Sequence, residues 1–400
     1  MSNKPGLMPV AEASVAIMAD VKCQLDTESL PLYAVQGRVL AEDLHALVDV
    51  PPADNSAMDG YALRMADIAK DVIPVSQRIA AGQAPQALQV DTCARVFTGA
   101  ETPAGAELVV MQEEVESVEG GIRIIGEHKP GAFIRRAGQD VTKGTQVLTA
   151  GTTLSARHMG VLASMGIAEV QVYRRLKVAV ISTGSELVDP GNSLSAGQIY
   201  NSNRYQLAGL LAQLNMEFVD LGIVEDDAEI TKASLTKAAE RADVVMTSGG
   251  VSVGEEDYVK SSVEALGELK VWKLAIKPGK PLAFGHVQGT PFFGLPGNPA
   301  SVLVTFMVMA RPYLLAMQGV TEVQENALPV ELLNPPSKAS IRQEYLRARI
   351  VGYANGQLQV EAMTNQNSGV LSTAMHGDGL AIVPVNTCGE KARQVEFMPF

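Results

Sequence analysis

The stretch from residue 176 to residue 322 alternates between short apolar runs and longer amphipathic segments. The apolar runs are KVAVIST, EFVDLGIV, DVVMTS and PFFGL, and the other segments include SNRYQLAGLLAQL, AEITKASLTKAAERA, YVKSSVEALG and PASVLVTFMVMARPYLLAM. Continuously apolar strands that alternate with helices are typical of a parallel sheet covered on both faces. The sequence therefore predicts a doubly wound α/β domain in this stretch.

The rest of the chain follows other patterns. Residues 46–144 contain many prolines, glycines and short β-like runs, whereas residues 154–173 predict a helix and a strand. The segment EYLRARIVGYANGQLQVEAM predicts two strands around an Asn-Gly turn. The predicted units are an N-terminal helical segment (1–26), a discontinuous linking domain (27–45 and 145–175), an inserted β-rich domain (46–144), the α/β domain (176–322) and a C-terminal β domain (323–400).

The N-terminal segment is expected to form a helix. The spacing of Val15, Met18 and Val21 predicts an amphipathic helix with these residues on its apolar face. Glu12 interrupts the segment, which is not typical of a signal peptide. The longest apolar run, residues 301–310, is too short to span a bilayer. We therefore expect a cytoplasmic protein with no membrane partner.

Composition excludes several classes of protein. The formal net charge is −12, which argues against general nucleic-acid binding. Any anionic ligand must then meet local positive charge, helix N-termini or a metal ion. The chain has three widely spaced cysteines, Cys23, Cys93 and Cys388, which predict a reducing compartment and no disulfide framework. No Cys or His spacing is typical of a zinc site.

Three loops rich in small residues follow predicted strands of the α/β domain. They are STGSEL (182–187), TSGGVSVGEEDY (247–258) and GLPGNPASV (294–302). Ligands of open α/β sheets bind beyond the carboxyl ends of the strands, and glycines let backbone N–H groups approach an anion. One such loop is usually a tight turn, but three at one sheet edge predict a binding site. None matches a Walker A loop or GxGxxG, which disfavours P-loop NTPases and ordinary nicotinamide enzymes.

Carboxylates stand next to these loops. Glu186 lies in the first loop, Asp226 follows a predicted strand, and Asp257 comes directly after the glycines of the second loop. Each of them alone is more often a helix cap or a solvated charge. Together they predict a Mg²⁺ site beside a phosphate, with Asp257 as a direct ligand and Glu186 and Asp226 as further candidates.

Two other segments have polar patterns. KLAIKPGKPLAFG contains Lys273, Lys277 and Lys280, and its Pro-Gly pair predicts a turn that brings the last two ammonium groups towards one point. Such a turn suits an oxyanion, although a solvated basic turn is an equal alternative for this stretch alone. The spacing within PPADNSAMDGYAL predicts only a capped turn.

Taken together, these stretches resemble the MoeA family of molybdenum insertases, which includes the E domain of gephyrin. The resemblance rests on PPADNSAMDGYAL, TGAETPAGAELVVMQEE, RRAGQD, STGSELV, GQIYNSN, TSGGVSVGEEDYVK, KPGKPLAFG and GLPGNPASV. These segments occur in the family's order and span nearly the whole chain. The C-terminal segment is the least distinctive part.

The resemblance implies an architecture and a reaction. The architecture is an elongated homodimer with a MogA-like α/β domain, a dimerising linking domain and a barrel-like C-terminal domain. The substrates are adenylyl-molybdopterin, supplied by a MogA-type adenylyltransferase, and molybdate, with Mg²⁺ as cofactor. The pyrophosphate link is cleaved, AMP leaves, and molybdenum enters the dithiolene to give the molybdenum cofactor for downstream enzymes.

The resemblance also implies roles for individual residues. It implies six catalytic residues: Asp59, Thr98 and Asp140, which face a cleft shared with the other subunit, and Glu186, Asp226 and Asp257. Arg347 is expected in an oxyanion pocket, although Arg349 lies on the same strand face and is an alternative. The expected substrate-binding residues are Gly184, Ser248, Gly249, Gly250, Ser252, Lys273, Lys277, Lys280, Pro296, Gly297, Pro299, Arg347 and Ser368.

No side chain in these motifs is an obvious nucleophile, which favours catalysis by positioning and electrostatics. Two alternative functions remain open at this point. One is molybdopterin adenylylation, which the MogA-like domain alone could perform. The other is a non-catalytic scaffold similar to the gephyrin E domain.

Overall fold

The computed structural model describes residues 6–251, 258–323, 327–354 and 356–400. Residues 6–173 form small sheets and two short α-helices. Their elements are α1 (Val10–Met18), β1 (Thr27–Pro31), β2 (Leu44–His45), β3 (Asn55–Ser56), β4 (Gly60–Leu63), β5 (Val75–Ile79), β6 (Cys93–Val96), β7 (Leu108–Met111), β8 (Val115–Val118), β9 (Gly121–Ile124), β10 (Ile134–Arg135), β11 (Gln146–Leu148), α2 (Ala156–Ser164) and β12 (Glu169–Tyr173).

The chain leaves one part of this region and later returns to it. Strand β1 pairs antiparallel with β12, and β2 pairs antiparallel with β11. Between them lie a sheet of order β5-β6-β4-β7 and the hairpin β8–β9. This pairing is consistent with an inserted β-rich unit, while the limits of the domains stay a prediction.

Helix α1 forms where the sequence predicts it, but of the predicted apolar face Val15 is wrong, whereas Met18 packs against the core. Val10, Ala13 and Ile17 are buried, whereas Val15 is 71% exposed. The buried residues follow the spacing of one helical face and pack into the core of the α/β domain. The helix ends at Met18, so Val21 lies beyond it, although Val21 is partly buried against the same core.

The α/β region contains the largest core cluster of the protein. Its elements are β13 (Lys177–Thr183), β14 (Leu187–Val188), β15 (Ile199–Tyr200), α3 (Ser202–Gln213), β16 (Glu217–Val224), α4 (Ala228–Arg241), β17 (Val244–Ser248), α5 (Tyr258–Leu266), β18 (Gly267–Lys273), β19 (Ile276–Lys277), β20 (Pro281–Val287), β21 (Thr290–Leu295), α6 (Pro299–Thr305) and α7 (Arg311–Met317). A π-helical turn, Phe306–Ala310, joins α6 to α7.

The main sheet is mixed rather than wholly parallel. Its order is β16-β13-β17-β21-β20-β18, and the first four strands are parallel as predicted. Strand β20 is antiparallel to both of its neighbours. Gln288 and Gly289, both with positive φ, form a two-residue turn between β20 and β21. The sequence analysis did not predict this turn, because glutamine is not a common residue at its first position. Such a turn can join only antiparallel strands.

The helical stretch Pro299–Met317 matches the predicted last helix of the α/β region. An 18-residue window of this 19-residue stretch has a mean hydropathy of 1.6, which by itself would suit a membrane span. However, 78% of that window is buried inside the protein. Phe306 and Tyr313 from this stretch pack among the strands of the main sheet. The stretch is therefore a core helix.

The C-terminal part forms a closed five-stranded barrel. Strand order is β23-β24-β22-β26-β25, and β25 pairs back onto β23. The predicted hairpin joins β23 to β24 with Gly356 at φ +77°, while Asn355 lies outside the described residues. The elements are β22 (Leu328–Leu332), β23 (Gln343–Ala354), β24 (Gln357–Ala362), α8 (Ser372–Met375), β25 (Gly379–Val383) and β26 (Gln394–Pro399).

The observed face of α1 can be tested by two substitutions on the same helix. Ile17→Ala should lower the free energy of unfolding by about 2–4 kcal/mol, because it removes buried carbons and leaves a cavity. Val15→Ala should change it by less than about 0.5 kcal/mol, because that side chain faces solvent. Urea unfolding of both variants beside the wild type measures this. Equal losses would contradict the assigned face.

Candidate functional site

A cavity of about 1060 Å³ lies at the carboxyl ends of the parallel strands. The loops that follow β13, β17 and β21 form one side of it, and the turn between β19 and β20 forms another. Residues 366–369 of the C-terminal part close it from across the domain boundary. The cavity therefore lies between the main sheet and the barrel.

Most of the predicted site residues line this cavity. Twelve of them do so: Gly184, Glu186, Asp226, Ser248, Gly249, Gly250, Lys277, Lys280, Pro296, Gly297, Pro299 and Ser368. Asp257 and Ser252 lie outside the described residues. The described lining does not include Asp59, Thr98, Asp140, Lys273 or Arg347.

The second loop requires glycine at two successive positions. Gly249 and Gly250 have φ values of +95° and +66°. A Cβ on Gly250 would lie 2.3 Å from Cγ2 of Val259, and one on Gly249 would lie 2.9 Å from the carbonyl oxygen of Thr183. The N–H of Gly249 already donates to the carbonyl of Leu295. The glycines therefore let the loop approach its neighbours, and the Gly249 N–H is committed within the protein.

Two of the predicted carboxylates lie at the first loop. Oδ2 of Asp226 accepts hydrogen bonds from the backbone N and the Oγ of Ser185, at 3.1 and 3.2 Å. The Glu186 carboxylate lies over Gly184, where a Cβ would be only 2.5 Å from Oε2. These are oxygen donors of the kind that Mg²⁺ prefers, so the residues fit this ion chemically. The described residues alone contain no group of three potential ligands.

The three lysines have different surroundings. Lys277 Nζ lies 2.5 Å from Oε1 of Glu344, whose side chain is buried. Lys280 lines the cavity and has no carboxylate within ion-pair distance in the described chain. Lys273 is exposed and lies outside the cavity lining. Lys280 is thus the lysine with a charge available for an anion.

Arg347 does not reach the cavity surface. It is fully buried, and its guanidinium donates to Thr373 Oγ1 and to the carbonyls of Asn365 and Asn367. Burial lowers the pKa of Arg347. The segment that follows β24 covers this side chain. Strand alternation predicts the face on which a residue lies, but it does not predict such a covering segment. Arg347 therefore holds the loop that contains Ser368.

The arginine that lines the cavity from the barrel side is Arg342. Sequence reasoning missed it, because it lies just before β23 and outside the alternation of that strand. The alternative residue Arg349 pairs with Glu361, 2.7 Å away, on the barrel surface. The loop with Ser368 is fixed to the sheet side, since the N–H of Ala300 donates to the Ser368 carbonyl.

Asn201 and Asn203 also line the cavity and were not predicted as site residues. They belong to GQIYNSN, one of the segments on which the family resemblance rests, but the resemblance assigned neither asparagine a role in the site. Asn201 is the N-cap of α3, and its side chain accepts from the N–H of Arg204. A signal was present, because asparagine directly before a helical pattern is typical of an N-cap.

The remaining predicted residues lie on the inserted region. Oδ1 of Asp59 accepts from both the backbone N and the Oγ1 of Thr98, at 2.8 Å each. The backbone N–H of Thr98, followed by its hydroxyl, lowers the pKa of Asp59. Asp140 is exposed and its N–H donates to the carbonyl of Val50. Asp59 and Thr98 thus form one unit, separate from the cavity of their own chain.

Comparison with known families accounts for three successive segments of the chain. Residues 8–166 match "MoeA N-terminal region (domain I and II)", residues 179–316 match "Probable molybdopterin binding domain", and residues 329–400 match "MoeA C-terminal region (domain IV)". The matched segments together cover most of the chain.

Individual relatives agree with this result. A molybdopterin molybdenumtransferase of Haemophilus influenzae is 40% identical over 372 residues, which is 92% of each chain. Two crystal structures of molybdopterin biosynthesis MoeA proteins from Pyrococcus horikoshii superpose with TM-scores of 0.81 and 0.84 at 33% and 30% identity. They cover 98% and 99% of this chain, and 99% and 100% of their own. The chain therefore belongs to the MoeA family of molybdopterin molybdenumtransferases, enzymes of molybdenum-cofactor biosynthesis.

Proposed function

We propose that the cavity binds adenylyl-molybdopterin and molybdate, and that the enzyme releases AMP as molybdenum enters the dithiolene. The observation that carries this proposal is the convergence on one cavity of glycine loops, two carboxylates, and two cations, Lys280 and Arg342, that have no carboxylate partner among the described residues. Its volume of about 1060 Å³ is sufficient for a substrate larger than a mononucleotide.

Charge arrangement supports a reaction at a phosphate. Lys280 and Arg342 line the cavity and are suited to hold molybdate or phosphate oxygens. Glu186 and Asp226, with Asp257 as the third candidate, would hold Mg²⁺. When bound, that ion would neutralise charge on the pyrophosphate link. The protein groups hold the substrate in position, and no side chain acts as a nucleophile. The oxygen that attacks the phosphorus of the pyrophosphate link would come from molybdate or water, and AMP is the leaving group.

A homodimer would complete the site. Asp59 and Thr98 are joined to each other and lie outside the cavity of their own chain. The proposed arrangement places them, with Asp140, against the cavity of the second subunit. Exposed apolar side chains in the predicted linking domain support such an association, for example Tyr33, which is 84% exposed, and Val161 on α2.

The proposed cellular context follows from this chemistry. The substrate would come from a MogA-type adenylyltransferase in the cytoplasm, and the product would pass to enzymes that use the molybdenum cofactor. The adenylyltransferase alternative is weaker, since residues 366–369 and Arg342 of the C-terminal part line the cavity beyond the MogA-like domain. A scaffold would not require carboxylates and Lys280 at one cavity.

The lysines provide the first test of anion binding. Lys280→Ala should weaken molybdate binding by roughly tenfold, because it removes a charge-assisted contact. Lys273→Ala is the matched control and should change affinity by less than about twofold, because an exposed charge outside the cavity is screened. Isothermal titration with molybdate at low and high salt measures both. Equal losses in the two variants would indicate a general charge effect and contradict a site at Lys280.

The carboxylates provide the second test. Asp226→Asn should reduce AMP release by roughly 10- to 100-fold and raise the Mg²⁺ concentration needed for half-maximal rate. Asp227→Asn is the neighbouring control. Asp227 caps α4 and does not line the cavity, and asparagine caps equally well. Release of AMP across a Mg²⁺ series measures the effect. An unchanged Mg²⁺ dependence in Asp226→Asn would exclude this carboxylate from the metal site.

Mixed dimers provide the third test. Asp59→Asn and Asp226→Asn should each lose most of their activity as homodimers, because each lacks one part of both shared sites. A heterodimer of the two should recover up to about half of wild-type activity, since one of its two sites is then complete. AMP release from heterodimers purified with two different affinity tags measures this. No recovery in verified heterodimers would reject the shared site.

A further inference from the structure

Three residues that line the cavity each have a buried side-chain atom without a hydrogen-bond partner in the described chain. These atoms are Oγ1 of Thr183, Nδ2 of Asn201 and Oδ1 of Asn203. Asn201 is 1% exposed and Asn203 is 9% exposed. A buried polar group without a partner is destabilising, and most such groups in native proteins are bonded to protein or ordered water, so an unbonded group requires an explanation. Their concentration at one cavity indicates a ligand that supplies the missing bonds.

The neighbours of the two asparagines fix which amide atom is free. Asn203 lies 2.7 Å from the carbonyl oxygen of Gly297, which only accepts, so the atom at this contact is Nδ2. Asn201 contacts the N–H of Arg204, which only donates, so the atom there is Oδ1. Each amide therefore has one atom used by the protein. Asn201 retains a free donor and Asn203 retains a free acceptor.

We infer that Asn201 and Asn203 bind the edge of a heterocyclic ring of the substrate. Such a ring edge carries an acceptor and an N–H donor, which match in type the free donor of Asn201 and the free acceptor of Asn203. Both groups lie within the first turn of α3, which the Asn203–Gly297 bond fixes to the third loop. This inference rests on the proposed function, because the ring would belong to adenylyl-molybdopterin.

Two rings of that substrate have this chemistry. Adenine has an amino donor beside a ring nitrogen acceptor, and a pterin has a lactam edge with N–H and C=O. The two sources can be separated by using AMP and free pterin as individual probes. AMP binding is measured by isothermal titration and pterin binding by its fluorescence.

Two substitutions of Asn201 remove the free amide donor and keep the helix cap. Aspartate has no donor when ionised, and the serine hydroxyl is one bond shorter than the amide, so its donor lies away from the Nδ2 position. Asn201→Ser and Asn201→Asp both retain an oxygen that accepts from the N–H of Arg204. Loss of one hydrogen bond between neutral groups should weaken binding of the recognised ring roughly three- to tenfold. Because Asn201→Asp adds charge, its result is compared with pterin, which is uncharged near neutral pH. Asp227→Ser changes the cap of α4, away from the cavity, and is the control.

Weaker AMP binding with unchanged pterin binding in the Asn201→Ser variant would support recognition of adenine. The opposite result would support recognition of the pterin. If the wild type binds AMP and molybdate and no ring loses affinity in either Asn201 variant, the inference is wrong and the proposed function stands. If the wild type binds neither AMP, pterin nor molybdate, the proposed function fails and the inference fails with it.

Discussion

The pairing of β19 with β23 joins the barrel to the α/β region at the edge where the parallel strands end. The cavity depends on this junction, because the barrel loop that carries Ser368 closes the space above the strand ends. Two further contacts reinforce it. The N–H of Ala300 donates to the Ser368 carbonyl, and Lys277 pairs with Glu344. The wide cavity between the α/β region and the barrel is therefore held by backbone hydrogen bonds and an ion pair between these two units.

Local charge at the cavity differs from the average charge of the molecule. The chain as a whole carries −12, which repels a dianion at long range. Lys280 and Arg342 lie at the cavity without an ion-pair partner in the described chain, whereas Lys277 is paired with Glu344. Three lysines close in sequence thus have three different electrostatic situations. The three lysines are close in sequence, but their neighbours in space decide which ammonium group is free to bind an anion.

Much of the fold could be predicted because it depends on local patterns. The strand KVAVIST, the helix that follows GLPGN and the Asn-Gly hairpin each have a distinctive local pattern of residue types. The errors have two causes, which are a neighbour distant in sequence for α1 and an uncommon local turn for β20. Val15 was expected inside, yet the core contacts the opposite face of α1. Strand β20 was missed, because its hairpin to β21 lacks the common turn residues at its first position.

The sequence by itself determined the strand–helix alternation, the three glycine loops and the family, since each of these is written in residue types at fixed spacings. Tertiary structure alone decided that Arg342 lines the cavity and that Arg347 is buried beneath a loop. It alone decided that Asn201 and Asn203 retain one free donor and one free acceptor. The physical reason is that burial and hydrogen-bond saturation depend on groups far away in the sequence, which only the packed chain brings together.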